Sequence, residues 1–155
     1  MRLSPLMEEK NMKFTNRIII HRSTIALFEY LANLENVPRW NYAIQETRKI
    51  SSGPVGVGST YRQFRTLPKP MEEELEITIY EPGHRLVVSG GFAYFQGVTS
   101  YVLDSLANAT KLTNEIELHA SGAFGPLAAL TTPGIKSAVA QNLTVLKALL
   151  ESTDQ

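Results

Sequence analysis

Residues 28–40, FEYLANLENVPRW, decide how this chain is read. Phe28, Leu31 and Leu34 continue an apolar stripe begun at Ile25 and Leu27, with the three- and four-residue spacing of a helix. Ser23 or Thr24 supplies an N-terminal cap. Pro38 then intervenes: it has no N–H to donate, and it disfavours helical geometry at Val37. The spacing therefore predicts a helix interrupted between Asn33 and Pro38, a second short helical turn around Val37–Asn41, and a lone Trp40 set onto whatever follows. Upstream lies a strand-like stretch from Met12 that ends in the β-branched run Ile18-Ile19-Ile20. Downstream come more strand-like segments and then a long apolar helix. That order suggests a curved sheet gripped by the C-terminal helix, with a cavity between them.

The downstream segments are separated by turn chemistry. Ala43–Ile50 closes at Ser51–Pro54. Ser59–Thr66 is entered through Gly56–Gly58 and left at Pro68–Pro70. Met71–Tyr80 alternates, with Met71, Glu73, Leu75, Ile77 and Ile79 on one face and Glu72, Glu74, Glu76 and Thr78 on the other. After a turn at Glu81–Gly83 come Leu86–Phe95, Val98–Leu106 and Thr110–Ala120, with turns expected at Gln96-Gly97 and Ala107–Ala109. Connections this short make neighbouring strands antiparallel. From Pro126 to Glu151 the pattern is helical, with Ile135, Val139, Leu143, Leu146 and Leu150 forming one stripe. Pro133 either kinks this helix or opens a fresh one. Both readings set Pro126–Thr131 apart as a hinged piece, in which Leu127–Leu130 either gates the cavity or packs into the core.

Composition narrows the function classes. The 155 residues carry 15 basic and 15 acidic side chains, so nothing favours nucleic acid or an anionic membrane. No cysteine is present, which removes disulfides, thiolate catalysis and the commonest zinc sites. His21, His84 and His119 are far apart in sequence, and no metal or other cofactor is expected. No apolar run approaches the ~20 residues that span a bilayer, and Met1–Asn11 lacks the apolar core of a secretory signal. The expectation is a cytoplasmic protein, monomer or homodimer, with one domain over 12–152, a flexible lead over 1–11 and a short tail over 153–155. Asn108 and Asn142 match the glycosylation sequon, which reads as coincidence without a signal.

Several stretches together resemble the START-like, helix-grip (SRPBCC) superfamily, in its polyketide cyclase/dehydrase and lipid-transport-like branch. They are Phe28–Leu31 with Asn36–Trp40, Gly56–Tyr61, Tyr80–Leu86, Thr110–Thr113 and Leu143–Glu151, and the resemblance runs from about residue 12 to 152. It implies an α+β fold: a strand, two short helices, six further strands completing a curved antiparallel sheet of seven, and a long helix across the concave face. The pattern alone supports only an antiparallel α+β domain.

Parity estimates the concave face. If Leu75, Ile77 and Ile79 point inward, pairing across the Glu81–Arg85 turn aligns Leu86, Val88 and Gly90 with them, and Phe92 and Tyr94 continue that face. In the last hairpin Leu112, Asn114, Ile116 and Leu118 share a face, and Asn114 is its one polar member. A hairpin closing at Leu106–Thr110 sets Tyr101 opposite Asn114. That pair either orients a ligand on an apolar wall or is bonded for structural reasons. On Ser59–Thr66 the facing is open: Tyr61, Gln63 and Arg65 share one side, and the resemblance favours Tyr61 inward. Arg65 then lies near Glu73, as a half-buried ion pair or as an electrophile for an enolate; a one-residue slip puts it in solvent. Trp40 is a packing anchor or a ligand platform. Ile135 and Val139 roof the cavity from the helix.

The leading functional expectation is binding of a small hydrophobic ligand, lipid-, quinone- or polyketide-like. The first alternative is a polyketide cyclase or dehydratase, whose chemistry needs a general base and donors for a developing enolate; Glu73, Tyr61, Arg65, Tyr101 and Asn114 are the candidates. The second is a protein–protein interaction module. No histidine has an evident Ser or carboxylate partner, which argues against a hydrolase triad.

Overall fold

The computed structural model describes residues 10–120 and 125–152; the side chains of Lys10 and of 120–132 fall outside that description. The first strand, β1 (Lys10–Ile20), leads through Ser23 into α1 (Thr24–Ala32), where the Ser23 hydroxyl accepts from the Ala26 N–H at 3.1 Å. Leu27, Phe28, Leu31 and Ala32 form the buried face of α1, whereas Ile25 is exposed and packs beside the turn at Gly83. Asn33 ends α1 and caps the next element with its own side chain, a 3₁₀ helix at Leu34–Arg39 with Pro38 inside. This second helix starts three residues earlier than the proline suggests, because the Asn33 cap restarts the chain at once.

Six strands follow: β2 (Ile44–Lys49), β3 (Thr60–Arg65), β4 (Met71–Glu81), β5 (Arg85–Phe92), β6 (Phe95–Leu106) and β7 (Ala109–Ala120). They join β1 in one antiparallel sheet of order β1-β7-β6-β5-β4-β3-β2. The chain thus crosses the full width of the sheet once, through α1 and the 3₁₀ helix, and returns by hairpins. The closing helix α2 (Gly125–Ser152) is 28 residues long, about 42 Å at 1.5 Å per residue. It lies along β1, held by Asn16 Nδ2 to the Lys136 carbonyl, by Lys147 Nζ to the Ile19 carbonyl, and by Glu151 to His21. The helix-grip expectation is met.

Two local expectations are corrected. The β5–β6 turn falls at Ala93-Tyr94, with Phe92 paired to Phe95, and not at Gln96-Gly97. Gly97 serves space: a Cβ there would stand 3.0 Å from Phe92 Cβ and 3.1 Å from Leu118. In the β4–β5 hairpin the inward alternation holds for Leu75↔Gly90 and Ile77↔Val88, then a bulge between Ile77 and Ile79 shifts it. Tyr80 consequently pairs with Leu86 and meets Phe28 edge-to-face at 5.1 Å, in the place parity assigned to Ile79. The cause is a turn with three residues between the paired Glu81 and Arg85, which offsets the register by one position; the extra residue of the bulge restores it. Pro133 lies within a continuous α2, so a fresh helix does not begin there. The hinge and gate expected of Pro126–Thr131 concern side chains outside the described residues, as do most of the 1–11 lead and the 153–155 tail.

Apolar burial is divided between two clusters. The larger gathers Ile20, the buried face of α1, Trp40, Tyr61, Ile77, Leu86 and the helix residues Leu143, Leu146 and Leu150. The smaller holds Phe14, Phe95, Ile116 and Leu118. Val139 touches both.

Candidate functional site

A hollow of about 530 Å³ is bordered by both clusters, by Trp40 and Val88 of the first and by Phe95 and Ile116 of the second. Its floor is the concave face of β3–β7, and its roof is a stripe of α2, Ile135, Ala138, Val139 and Asn142. These recur at i, i+3, i+4 and i+7, the spacing that turns one helix face toward one surface. Around the opening stand Tyr42, Leu67 and Tyr94, all exposed, on the segment after the 3₁₀ helix, the β3–β4 loop and the β5–β6 turn. Gly90 and Gly91 border the floor where β5 lies close against β4: a Cβ on Gly90 would lie 2.1 Å from the Glu74 carbonyl oxygen, and its φ of 155° is one that side chains avoid.

Of the residues singled out from sequence, eleven border this hollow: Trp40, Gln63, Arg65, Leu75, Val88, Phe92, Tyr101, Asn114, Ile116, Ile135 and Val139. Tyr61, Ile77 and Glu73 do not. Tyr61 and Ile77 are packed in the larger cluster at 1% and 0% exposure. Burial raises the Tyr61 phenol above its usual pKa, and its hydroxyl has no hydrogen-bond partner among the described residues.

Glu73 stands behind the wall in a closed polar chain. Register pairs it with Gln63 on β3. One carboxylate oxygen accepts from Gln63 Nε2 at 2.9 Å; the other accepts from Arg65 Nε at 2.9 Å and from the Ala93 N–H at 2.6 Å. Gln63 in turn accepts from the Thr47 hydroxyl, and Arg65 donates to the Leu67 carbonyl. The Arg65 guanidinium also lies 5.1 Å from the Phe92 ring centroid. The open question of how β3 faces is thereby answered: Tyr61, Gln63 and Arg65 are inward, and Arg62 is on the outer side near Glu72 and Glu74. A buried ion pair is tolerated when hydrogen bonds satisfy both partners, and here the carboxylate takes three. It has become a brace that ties the β5–β6 turn to β3 and β4.

The remaining polar groups face the hollow with less company. Tyr101 pairs with Asn114 in the β6–β7 ladder, as the hairpin closure requires. Asn114 is 2% exposed and donates to the Ser100 carbonyl, and no described bond uses its Oδ1. No described bond uses the Tyr101 hydroxyl either, and burial deep in the protein drives its phenol far above the ordinary range. It remains a neutral donor and acceptor. Asn142, absent from the sequence-based candidates except as a sequon, lies on the roof at 6% exposure; its Oδ1, like the indole Nε1 of Trp40, has no hydrogen-bond partner among the described residues. Its position seven residues after Ile135, on the same helical stripe, was the signal that would have found it. Ala138, Thr99 and Phe95 were also missed. Among the described residues, no histidine, aspartate or glutamate borders the hollow, and no acidic or histidine cluster is suited to a metal. His84 is exposed in its turn, and His119 bonds Asn11 at the surface.

A curved seven-stranded sheet closed by a C-terminal helix over an apolar hollow defines a START-like protein. The family model for polyketide cyclase/dehydrase and lipid transport matches residues 11–151, and the chain belongs to that family. No curated protein matches. Among solved structures, TTHA0849 from Thermus thermophilus is similar over 93% of this chain and 100% of its own, with TM-score 0.76 and 12% identity. One half of the di-domain ARO/CYC StfQ from the steffimycin biosynthetic pathway aligns with TM-score 0.75 and 11% identity, covering 92% of this chain and 51% of that one. A START superfamily protein from Mycobacterium smegmatis aligns with TM-score 0.68 and 12% identity, covering 89% and 98%. At such identities the likeness is one of fold. No helix among the described residues is long and apolar enough to cross a membrane.

Proposed function

We propose that this protein binds one small hydrophobic molecule, lipid-, quinone- or polyketide-like, in the hollow between sheet and α2. The observation that carries this reading is the hollow itself: about 530 Å³ lined mainly by apolar side chains with a few convergent polar groups, within the 300–1,000 Å³ typical of sites for single small ligands. Trp40, Leu75, Val88, Phe92, Ile116, Ile135 and Val139 supply the apolar contact; Gln63, Arg65, Tyr101 and Asn114 supply polarity. Tyr61, Ile77 and Glu73 support the wall from behind.

Cyclase or dehydratase chemistry in the same hollow has weaker support. Tyr101 and Arg65 can donate to an enolate oxygen, but the nearby carboxylate already accepts three hydrogen bonds. A base must first be free to take a proton. A docking module is supported less again, because the interior is not filled.

Native mass spectrometry of freshly purified protein tests the reading, with Ala138→Phe as the companion variant. The wild type should retain a small molecule, or take up an added naphthalene-type probe, as a monomer or homodimer. The variant should do neither while unfolding at a similar temperature. Equal uptake by both proteins, or by neither, would defeat the proposal.

A further inference from the structure

The face of the sheet turned away from the hollow carries charge in an order that the fold itself does not use. Across β1, β7, β6, β5 and β4, which lie side by side, register sets the outward side chains in rows. One row starts at Lys13 and runs through Glu117, Val98 and Ser89 to Glu76. Four residues further along β1, another starts at Arg17 and runs through Thr113, Val102 and Arg85 to Glu81. Each row has a cation on β1, a valine on β6 and a carboxylate on β4. Lys13, Arg17, Glu76 and Glu81 are all exposed. Lys13 makes a surface pair with Glu115 at 3.6 Å, and no described hydrogen bond or ion pair engages the side chains of Arg17, Glu76 or Glu81. Between the two rows stand Ser100 and Val87, both short and uncharged.

We propose that this face docks against the same face of a second copy of the chain, about a two-fold axis lying along β6. Such an axis lays β6 on its own image, β7 on β5 and β1 on β4, and keeps each row over itself. Lys13 of one copy then faces Glu76 of the other, and Arg17 faces Glu81, each pair repeated by the symmetry. Val98 and Val102 meet their own counterparts on the axis. Glu117 falls opposite Ser89 and Arg85 opposite Thr113, so no like charges oppose each other in these rows. Shape agrees with charge. A sheet curved around α2 is convex on its outer side, so two such faces touch at the middle and part toward the margins. The short residues are at the middle, and the long charged side chains that can span a gap are at the margins. With strands about 4.8 Å apart and about 3.3 Å per residue, the five strands offer about 600 Å² a side. The total is at the low end for a specific interface, which predicts a reversible dimer of micromolar affinity. The hollow lies on the opposite face of the sheet, so the dimer is independent of any ligand.

Charge exchange tests the proposal by sedimentation equilibrium of the full chain across the micromolar range. The wild type should dimerise reversibly, and added salt should weaken the dimer. Glu76→Lys sets a lysine against Lys13 of the other copy and should raise the dissociation constant roughly tenfold; Lys13→Glu should do the same. Combining Lys13→Glu with Glu76→Lys should restore the dimer. Within one chain these positions are about 19 Å apart, at about 4.8 Å per strand, so such a rescue reports contact between copies. Arg17→Glu with Glu81→Arg provides a second, independent exchange. Val98→Asp sets two carboxylates together on the axis and should leave a folded monomer by circular dichroism. A wild type that stays monomeric overturns the proposal. So does a dimer that ignores the single reversals, or one that neither exchange rescues, since association would then use another surface.

Discussion

Replacing Glu73 by leucine should produce one of the larger destabilisations available to a single substitution in this protein. The carboxylate is 3% exposed and holds three donors. Leucine keeps most of the volume and removes every acceptor, which leaves the Arg65 guanidinium, 7% exposed, without its counter-charge. Breaking a buried pair by deleting one partner costs about 3–5 kcal/mol, between about two and four decades in the unfolding constant. For a domain of this size that lowers the melting temperature by about 6–20 °C. Trp40 is the only tryptophan, so urea unfolding followed by its fluorescence, alongside circular dichroism, reads the change directly. The decisive comparison adds Arg65→Met. With both charges gone, no buried ion is stranded, and the double variant should be close to wild type and at least about 2 kcal/mol more stable than the sum of the single losses. A Glu73→Leu protein within about 1 kcal/mol of wild type, or strictly additive losses, would refute the brace.

Gly90→Ala should cost about 2–4 kcal/mol, since the added carbon meets the Glu74 carbonyl oxygen at 2.1 Å and Leu75 Cα at 2.9 Å in a backbone geometry side chains avoid. Gly56→Ala, with nothing within 4 Å, should stay within about 0.5 kcal/mol in the same melts; equal losses would discount the crowding. Lys147, then the backbone and ring of His21, hold the Glu151 carboxyl down to a pKa of about 2. A lowered folded-state pKa means this stabilisation is complete above the ordinary carboxylate range and disappears as pH falls toward about 2. Melting curves recorded from pH 7 downward should therefore fall less steeply for Glu151→Gln than for wild type; parallel curves would reject the staple. Asn114→Leu should remain folded, losing about 1 kcal/mol for the Ser100 carbonyl bond, and should weaken binding of an oxygenated naphthalene probe. If it fails to fold, Asn114 is structural.

Strand count, strand direction and the roofing helix were legible because period and punctuation agreed along most of the chain. The interruption at Pro38 and the stripe Ile135–Leu150 are visible without any structure. What escaped was local register. A bulge near Thr78 leaves no signature in a run as regular as Met71–Tyr80, so Ile79 and Tyr80 exchanged places. Gly97 resembled a turn residue because glycine serves close packing and turns alike. The floor of the hollow followed from alternation once Asn114 was set against Tyr101, but the closed chain Thr47–Gln63–Glu73–Arg65 depends on side chains from three strands meeting. Asn142 went unrecognised because it stands one residue before Leu143, beside the aliphatic stripe and not among its members.

The placement of β1 beside β7 also bears on synthesis. His21 waits for Glu151, 130 residues later, and the β1 edge of the sheet waits for β7. Contacts of such long sequence separation slow folding into the millisecond-to-second range. A nascent chain halted before the last turns of α2 would carry six hairpin-linked strands with their greasy inner face uncovered, a natural target for chaperones. Defects late in the reading frame should therefore show themselves first as insolubility.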